Sequence, residues 1–320
     1  MPPSVAMRDA EIGSAVATTA RGTGSSVHAF PVLPEWPRQA RQTVLPGEVR
    51  VPSDRCWFTD LIDPVYSISD SDRRILDLQD GWMSRWTAQM KIRKKFLLLS
   101  VRDLVTFPVA GLQPVRVFSW STTQRHRPGL AYLVSTGRLH GFESIAESRA
   151  LLALDFAGEL ADVVSQPMEI TFFASRSRTS HVPDFLATTG AGTLLIDVRP
   201  AGLIEDDDRI KFAAAGEVAL ACGWQYVVVG GWRRQVAVTI GDLSAQRRPL
   251  DDPLGLQQQI LREAACGPRP FGQIVAATTC PAVARAHAVH LLWTRRLGID
   301  LGLPLTDHAT VWAVTEDPAW

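Results

Sequence analysis

Three carboxylates and an arginine occur in one stretch of the chain, at spacings that could place them in a common site. Glu147 follows Ser144 in a Ser-x-x-Glu pattern. Asp184 follows a proline, and Asp197 and Arg199 close the apolar run TLLIDVR. Carboxylate oxygens suit Mg²⁺ or Mn²⁺, which can polarise a phosphoryl oxygen and supply hydroxide near neutral pH. A neighbouring cation would stabilise developing charge on phosphate oxygens. These residue types therefore indicate metal-dependent phosphodiester hydrolysis.

Two helices are predicted to flank the strands that carry these residues. The Ser144–Glu147 pattern is a capping box that opens the first helix. Apolar residues at helical spacing follow it as far as Ala157. Further along, 210–222 predicts a second helix and 225–229 a buried strand. With the strands between the helices, these elements predict an α/β fold in which helices flank a mixed sheet.

Three strands are predicted between the two helices. The β-rich run 168–173 is the first, 181–188 returns antiparallel to it after a polar turn, and 193–198 is buried. Alternate residues of a strand share a face, so Asp197 projects to the same side as the arginine two residues later. Asp184, on the paired strand, is expected to reach the same patch.

Each candidate residue also has an ordinary structural explanation. Glu147 could serve only the capping box, and Glu143 competes with it for the metal-facing role. Asp184 after a proline could reflect turn chemistry. Asp197 is harder to explain in this way, because an acid inside a buried strand needs a partner or a function. The occurrence of these acids in this order nevertheless favours a common functional site.

The stretch from Glu143 to Trp232 resembles the TnsA-like endonuclease subunit of heteromeric transposases, within the PD-(D/E)xK nuclease superfamily. The resemblance is carried by ESIAESRALLALDF, Gln166-Pro167, HVPDF, LLIDVRP and GWQYV, in this order. It covers roughly ninety residues and implies a restriction-endonuclease-like core. It also implies Mg²⁺ or Mn²⁺ as cofactor and cleavage at the 5′ ends of a mobile element.

The resemblance assigns roles to individual residues. The metal ligands and catalytic acids would be Glu147, Asp184 and Asp197. His181 could contact substrate or be an ordinary turn histidine, and Gln166 could position a ligand or water or simply end a loop. The family pattern has lysine where this chain has Arg199. Arginine keeps the charge and can grip a phosphate bidentately, but it cannot exchange a proton. Lys211, at the start of the next helix, could supply an ammonium group to the catalytic set.

The composition is that of an ordinary globular protein and gives no global basic field. The 320 residues are 46% hydrophobic and 21% charged, and the formal net charge is zero. Four scattered cysteines fit reduced thiols, no apolar run is long enough for a membrane span, and no signal peptide is evident. We therefore expect a cytoplasmic protein without membrane contact.

The chain is predicted to divide into four parts. They are a flexible tail at 1–50, a helical and hairpin extension at 51–135, the nuclease core at 136–235, and a helical, winged-helix-like partner- or DNA-binding module at 240–320. In the extension, 69–90 begins with a capping pattern and predicts a helix, and strands at 113–121 and 129–135 predict a hairpin. The basic run 91–95 is read as a solvated helix end, with phosphate contact as the alternative.

The C-terminal module is predicted from two helices and a strand. The ranges 254–265 and 281–297 read as helices, 272–277 as a short apolar element and 309–314 as a strand. From residue 231 to residue 300 nine arginines stand against five acidic residues, so this part is locally basic.

The function expected from these observations is a metal-dependent DNA endonuclease subunit of a transposase. Its partners would be double-stranded DNA at mobile-element ends, an integrase-type transposase subunit and an AAA+-type ATPase regulator, as the resemblance implies. Three alternatives stay open: a nuclease-inactive scaffold that recruits the ATPase or transposase, a stand-alone restriction or repair nuclease, and a DNA-binding regulator built on the C-terminal module.

Overall fold

The computed structural model describes residues 50–63, 66–116, 128–175 and 177–314. The predicted tail at 1–50, apart from its last residue, and most of the strand predicted at 113–121 lie outside these ranges. The helices are α1 (Phe58–Leu61), α2 (Asp70–Arg74), α3 (Trp82–Arg85), α4 (Val101–Leu104), α5 (Ile145–Ala157), α6 (Asp206–Ala221), α7 (Arg234–Leu243), α8 (Leu256–Ala265), α9 (Phe271–Ala276) and α10 (Pro281–Trp293). The strands are β1 (Thr87–Ile92), β2 (Lys95–Ser100), β3 (Leu112–Gln113), β4 (Gly129–Leu133), β5 (Arg138–Phe142), β6 (Leu160–Ser165), β7 (Met168–Ala174), β8 (Ser177–His181), β9 (Phe185–Thr189), β10 (Gly192–Val198), β11 (Gln225–Val229), β12 (Arg269–Pro270), β13 (Leu297–Ile299) and β14 (Thr310–Ala313).

A mixed four-stranded sheet, in the order β11-β10-β9-β6, positions the predicted site. β9 is antiparallel to both β6 and β10, whereas β11 is parallel to β10. The helix α6 makes the crossover that a parallel pair of strands requires. The strands predicted at 193–198 and 225–229 are confirmed as β10 and β11, and the helix predicted at 210–222 is confirmed as α6. The α/β class is confirmed.

The helices α5 and α6 lie on opposite faces of this sheet, because side chains alternate along each strand. On β10, Ile196 belongs to the core that contains α5, and Leu195 belongs to the core that contains α6. Asp197 is two residues from Leu195 and therefore shares the α6 face. On β9, Leu186 belongs to the α6 core, so Asp184 shares that face as well.

A second sheet, in the order β2-β1-β7-β8 with β3 beside β1, corrects two predictions for the N-terminal extension. The helix predicted from Ser69 ends at Arg74, and the chain then forms α3 and the β1–β2 hairpin. Ala88 and Met90 are fully buried at alternate positions, so a period of two governs this stretch. The basic run 91–95 is the tip of a hairpin, and the expectation of a helix end is wrong.

Five strands, rather than three, lie between α5 and α6. The strand predicted at 168–173 is confirmed as β7, but its antiparallel partner is β8 and not a strand over 181–188. That predicted strand is interrupted at Pro183, which has no N–H to donate to a ladder. His181 therefore ends β8 in one sheet, while Asp184 directly precedes β9 in the other.

The C-terminal helices and a small sheet follow. The helices predicted at 254–265 and 281–297 are confirmed as α8 and α10, although α10 ends at Trp293. The short apolar element is the helix α9, and the predicted last strand is confirmed as β14. The sheet order is β12-β14-β13. Residues near the start of the described chain extend this sheet, since Ser53 N–H donates to the Ile299 carbonyl at 2.9 Å.

One hydrophobic core joins much of the described chain. It begins at Val51 and continues through α5 and α10 to Val311, and all the described residues lie within the compact unit Gly47–Trp320. The four predicted domain ranges stay predictions. None of the helices in the described ranges has both the length and the apolar character that a bilayer crossing needs.

A buried carboxylate ties the β4–β5 hairpin to α5. Asp155 is 5% exposed and accepts hydrogen bonds from the backbone N–H groups of Val134 at 3.0 Å and Ser135 at 2.8 Å. The Ser135 hydroxyl donates a further bond at 2.7 Å. The partner of β4 is β5, whereas the sequence predicted a partner at 113–121. This carboxylate therefore fixes the β4–β5 turn against the helix that bears Glu147.

Asp155→Asn is expected to lower the free energy of unfolding by about 1–3 kcal/mol, because the amide leaves a buried donor without its acceptor. Urea denaturation measures the loss. Asp307→Asn is the control: it alters an exposed carboxylate paired with Arg285, and such a pair contributes about 0–1 kcal/mol. Equal losses in the two variants would contradict the anchoring role of Asp155.

Candidate functional site

Two carboxylates meet where β9 begins and β10 ends. Phe185 pairs with Ile196 across these strands. Asp184 directly precedes Phe185 and Asp197 directly follows Ile196, so the antiparallel register makes the two acids neighbours. The backbone N–H of Val198 donates to Asp184 Oδ2 at 2.7 Å. Asp197 is only 2% exposed, and an acid buried this deeply must find a partner or a cation.

Asp197 is held by a histidine and a tyrosine from two different elements. The Nε2 atom of His181, on β8, lies 3.0 Å from both carboxylate oxygens. The hydroxyl of Tyr226, on β11, donates to Asp197 Oδ2 at 2.6 Å. Burial, followed by the charge of Asp197, raises the pKa of Tyr226 well above its ordinary value. The sequence places Tyr226 in a buried strand, where its hydroxyl needs an acceptor, but its role was not predicted.

The surroundings of Asp184 disfavour the charged form of its carboxyl group. Asp184 as a whole is only partly buried, but its carboxyl group is closely surrounded by protein atoms. Burial, followed by the charges of Asp197 and Glu147 and more weakly Glu143, raises the pKa of Asp184 well above the ordinary value. The hydrogen bond from Val198 acts in the opposite direction. Such a carboxyl gains either from a proton or from a cation placed beside it.

Glu147 serves the helix cap and also contributes charge to the site. Its N–H donates to Ser144 Oγ at 3.2 Å, and the Ser144 hydroxyl donates back to Glu147 Oε1 at 2.8 Å. The N–H of Glu143 donates to Glu147 Oε2 at 2.7 Å. The predicted cap is thus confirmed. Glu147 is buried whereas Glu143 is exposed, and of the two charges that of Glu147 has the larger effect on Asp184.

Gln166 lies beside Asp184 in a strained conformation. Its φ is 48°, which is uncommon for a residue other than glycine. Its N–H donates to the Asp184 carbonyl at 2.7 Å, and its carbonyl accepts from Val115 N–H at 2.9 Å. The side-chain Oε1 atom is buried without a hydrogen-bond partner among the described residues. Strain combined with an unsatisfied buried acceptor is typical of functional sites.

The two predicted cations lie against the acidic start of α6. Arg199 Nε donates to the Leu203 carbonyl and to Asp208 Oδ2, each at 3.1 Å. Lys211 pairs with Asp207, one helical turn earlier. These acids, predicted to decorate the helix start, thus bind both cations that the sequence assigned to the catalytic set.

Hydrogen bonds or charge effects link five of the predicted site residues, which come from a helix, two sheets and the connection between them; these are Glu147, Gln166, His181, Asp184 and Asp197. Within the described ranges, no three His, Cys, Asp or Glu side chains form a ready set of metal ligands, so the metal stays a prediction. No protein-family model matches the sequence, and no curated protein matches it. The geometry of the site therefore carries the functional argument.

Asp184→Asn is expected to raise the free energy of unfolding near pH 7 in metal-free buffer. Because the folded pKa of Asp184 is raised, its protonated form stabilises the fold. That contribution is complete below the pKa of an unfolded aspartate and is lost as the pH rises through the folded value. Asparagine keeps an acceptor for Val198 N–H. Urea denaturation across pH should show an advantage of the variant that grows from acid to neutral pH.

Asp72→Asn is the matched control of opposite sign. Burial raises the pKa of Asp72, but hydrogen bonds from Ser69 and Tyr66 outweigh it and lower the pKa. The ionised form therefore stabilises the fold above the unfolded pKa, and this contribution disappears as the pH falls through the folded value. The control should lose stability near pH 7. A stability difference between Asp184→Asn and the wild type that does not change with pH would show that the pKa of Asp184 is not raised in the fold.

Proposed function

We propose that this chain is a metal-dependent DNA endonuclease subunit of a heteromeric transposase, which hydrolyses a phosphodiester at the 5′ ends of a mobile element. The observation that carries the proposal is the meeting of Asp184 and Asp197 at adjacent strand ends, with the charge of Glu147 also acting on Asp184. Carboxylates held this closely repel one another unless a cation joins them.

The order of elements supports the proposal. The stretch that resembles TnsA-like endonucleases, 143–232, contains a helix with the first acid, a strand end with the second and a buried strand with the third. A mixed sheet between α5 and α6 is the arrangement expected of a restriction-endonuclease-like core. This order of elements supports the assignment of the three acids to one proposed site.

Mg²⁺ or Mn²⁺ fits the donors of this site. The proposed donor atoms are oxygens, from the carboxylates of Glu147, Asp184 and Asp197 and from the buried amide of Gln166. Hard divalent cations prefer oxygen ligands of this kind. When bound, the ion would polarise the phosphoryl oxygen and make hydroxide available near neutral pH.

The residues around the carboxylates hold them in place. His181 and Tyr226 fix Asp197, and Val198 N–H fixes one oxygen of Asp184. Partners of this type set the orientation of a ligand and raise metal affinity. Ligands that are oriented before the substrate arrives need less rearrangement at the moment of reaction.

Arg199 is proposed to neutralise the scissile phosphate. Its side chain is 42% exposed, and only Nε binds Asp208 and the Leu203 carbonyl. Its terminal guanidinium nitrogens have no acceptor in the part of the chain that the structure describes. Such a fork can bind phosphate oxygens bidentately. Because arginine does not exchange protons, its contribution would be electrostatic.

A nuclease-inactive scaffold is the second candidate, and a specific observation favours it. Arg199 and Lys211 are each paired with an acid of α6, Asp208 and Asp207 respectively. Neither cation contacts the Asp184–Asp197 pair. If both stay paired when DNA binds, the site lacks the positive charge that the family pattern places beside the metal, and the chain would act by recruiting partners.

The C-terminal module is proposed to be winged-helix-like and to dock the integrase-type transposase or the AAA+-type ATPase. The chain order α8, β12, α9, α10, β13, β14 supports this assignment. At the start of α10, Ala282 and Val283 are exposed, and the charge of Arg285 is paired with Asp307. A surface with apolar side chains and compensated charge suits a protein partner better than a phosphate backbone.

Cleavage of duplex DNA that carries a mobile-element end tests the function. We expect the wild type, with Mg²⁺ or Mn²⁺ and the partner transposase, to cut the 5′ ends. Asp197→Ala should abolish the cut, because it removes a metal ligand at the centre of the site. Glu159→Gln, which changes an exposed acid at the far end of β9 from the carboxylates, should cut like the wild type.

Cleavage that persists in Asp197→Ala contradicts the nuclease assignment. If the wild type is silent while the partner still cuts its own strand, Arg199→Lys separates the remaining explanations. Cleavage gained by that variant would show that arginine has cost the activity. Continued silence, with the partner still recruited, would favour the scaffold.

A further inference from the structure

The β1–β2 hairpin, hereafter the basic hairpin, has an unusual turn. Ile92 pairs with Lys95, so Arg93 and Lys94 alone form the turn. Their φ values are 47° and 66°, and two positive φ values define the type I′ turn that Asn-Gly fits best. Two long charged residues are strained in this conformation. Strain of this kind is retained where the side chains serve a purpose beyond the turn.

The tip of this hairpin concentrates positive charge. Lys91, Arg93, Lys94 and Lys95 lie in and beside the turn, and they include three of the four lysines of the whole chain. Arg93, Lys94 and Lys95 are exposed. None of the four forms an ion pair with an acid in the described ranges. Since the net charge of the chain is zero, this is a local feature and not a consequence of composition.

The outer face of the basic hairpin adds exposed apolar surface to the charge. Lys91 pairs with Phe96, and Gln89 pairs with Leu98, so these four side chains share one face. Phe96 is 57% and Leu98 is 62% exposed, and Lys91 Nζ lies 5.6 Å from the centroid of the Phe96 ring. The outer face of the basic hairpin therefore adds apolar contact area beside the charged tip.

A series of hydrogen bonds connects the hairpin tip to the carboxylate site. Lys94 N–H donates to Gln113 Oε1 at 2.9 Å. Two residues later, Val115 N–H donates to the Gln166 carbonyl at 2.9 Å, and Gln166 N–H donates to the Asp184 carbonyl at 2.7 Å. These hydrogen bonds link the tip, through two intervening segments, to the residue that carries the Asp184 carboxylate.

We propose that the basic hairpin binds the phosphate backbone of duplex DNA and positions it against the carboxylate site. This inference rests on the proposed function and adds the surface that holds the substrate. Unpaired cations supply most of the sequence-independent affinity for DNA by releasing counterions. The link through Gln113 and Gln166 gives the bound backbone a fixed register relative to Asp184.

The test replaces the turn in the full-length chain with Asn-Gly, in the double variant R93N/K94G. Because Asn-Gly fits the type I′ turn better, the variant should unfold at the same temperature as the wild type or higher. Its affinity for duplex DNA, measured in EDTA so that no cleavage occurs, should fall. The slope of log K against log salt should shrink by about 2, one for each lost phosphate contact.

The control removes the same charge elsewhere, in the double variant R74Q/R296Q, since both arginines are exposed and neither forms an ion pair in the described ranges. It should keep the affinity and salt slope of the wild type. Three results overturn the inference: a wild type that binds no duplex DNA, equal effects of the two double variants, or a turn variant that loses affinity for anionic phosphatidylserine vesicles but not for DNA.

The binding assay and the cleavage assay test the two proposals independently. A wild type that cuts DNA, with a turn variant of unchanged affinity, rejects the role of the basic hairpin and leaves the nuclease proposal in place. A turn variant that loses DNA affinity while no protein cuts DNA supports the hairpin and rejects the nuclease.

Discussion

The repulsion between Asp184 and Asp197 is the constraint on which the site depends. The register of β9 and β10 forces the two carboxylates together, and closely packed surroundings strengthen their repulsion. His181 and Tyr226 reach Asp197 from two different sheets, and Val198 N–H stabilises the charged form of Asp184. The site is therefore assembled from distant parts of the chain, and these donors offset only part of the electrostatic cost.

The two larger sheets contribute different side chains to the proposed site. The four-stranded sheet supplies the acids, while the five-stranded sheet supplies His181 at one point and the basic hairpin at another. Gln166, in the connection between the sheets, contacts both Asp184 and the segment after β3. In the proposed nuclease, this strained residue would couple the position of bound DNA to the geometry of the carboxylates.

Elements with strong local signals were predictable from the sequence. The cap at Ser144, the buried runs that became β10 and β11, and the helix α6 each carry their own pattern. The sequence of the β1–β2 hairpin is also compatible with a helix end, because a short run of apolar and charged residues fits both the helical and the strand period. The contact of Tyr226 with Asp197, across 29 residues, depends on the parallel pairing of β10 and β11, which no local pattern specifies. The pairing of Arg199 with Asp208 likewise required the path of the chain into α6.

The central claim is that the carboxylate cluster takes up a divalent cation, and Mn²⁺ binding measured by electron paramagnetic resonance tests it most directly. We expect the wild type and Asp307→Asn to bind Mn²⁺ alike, and Asp184→Asn and Asp197→Asn to lose this site without unfolding. Equal binding by all four proteins, or no binding by the wild type, would contradict the claim.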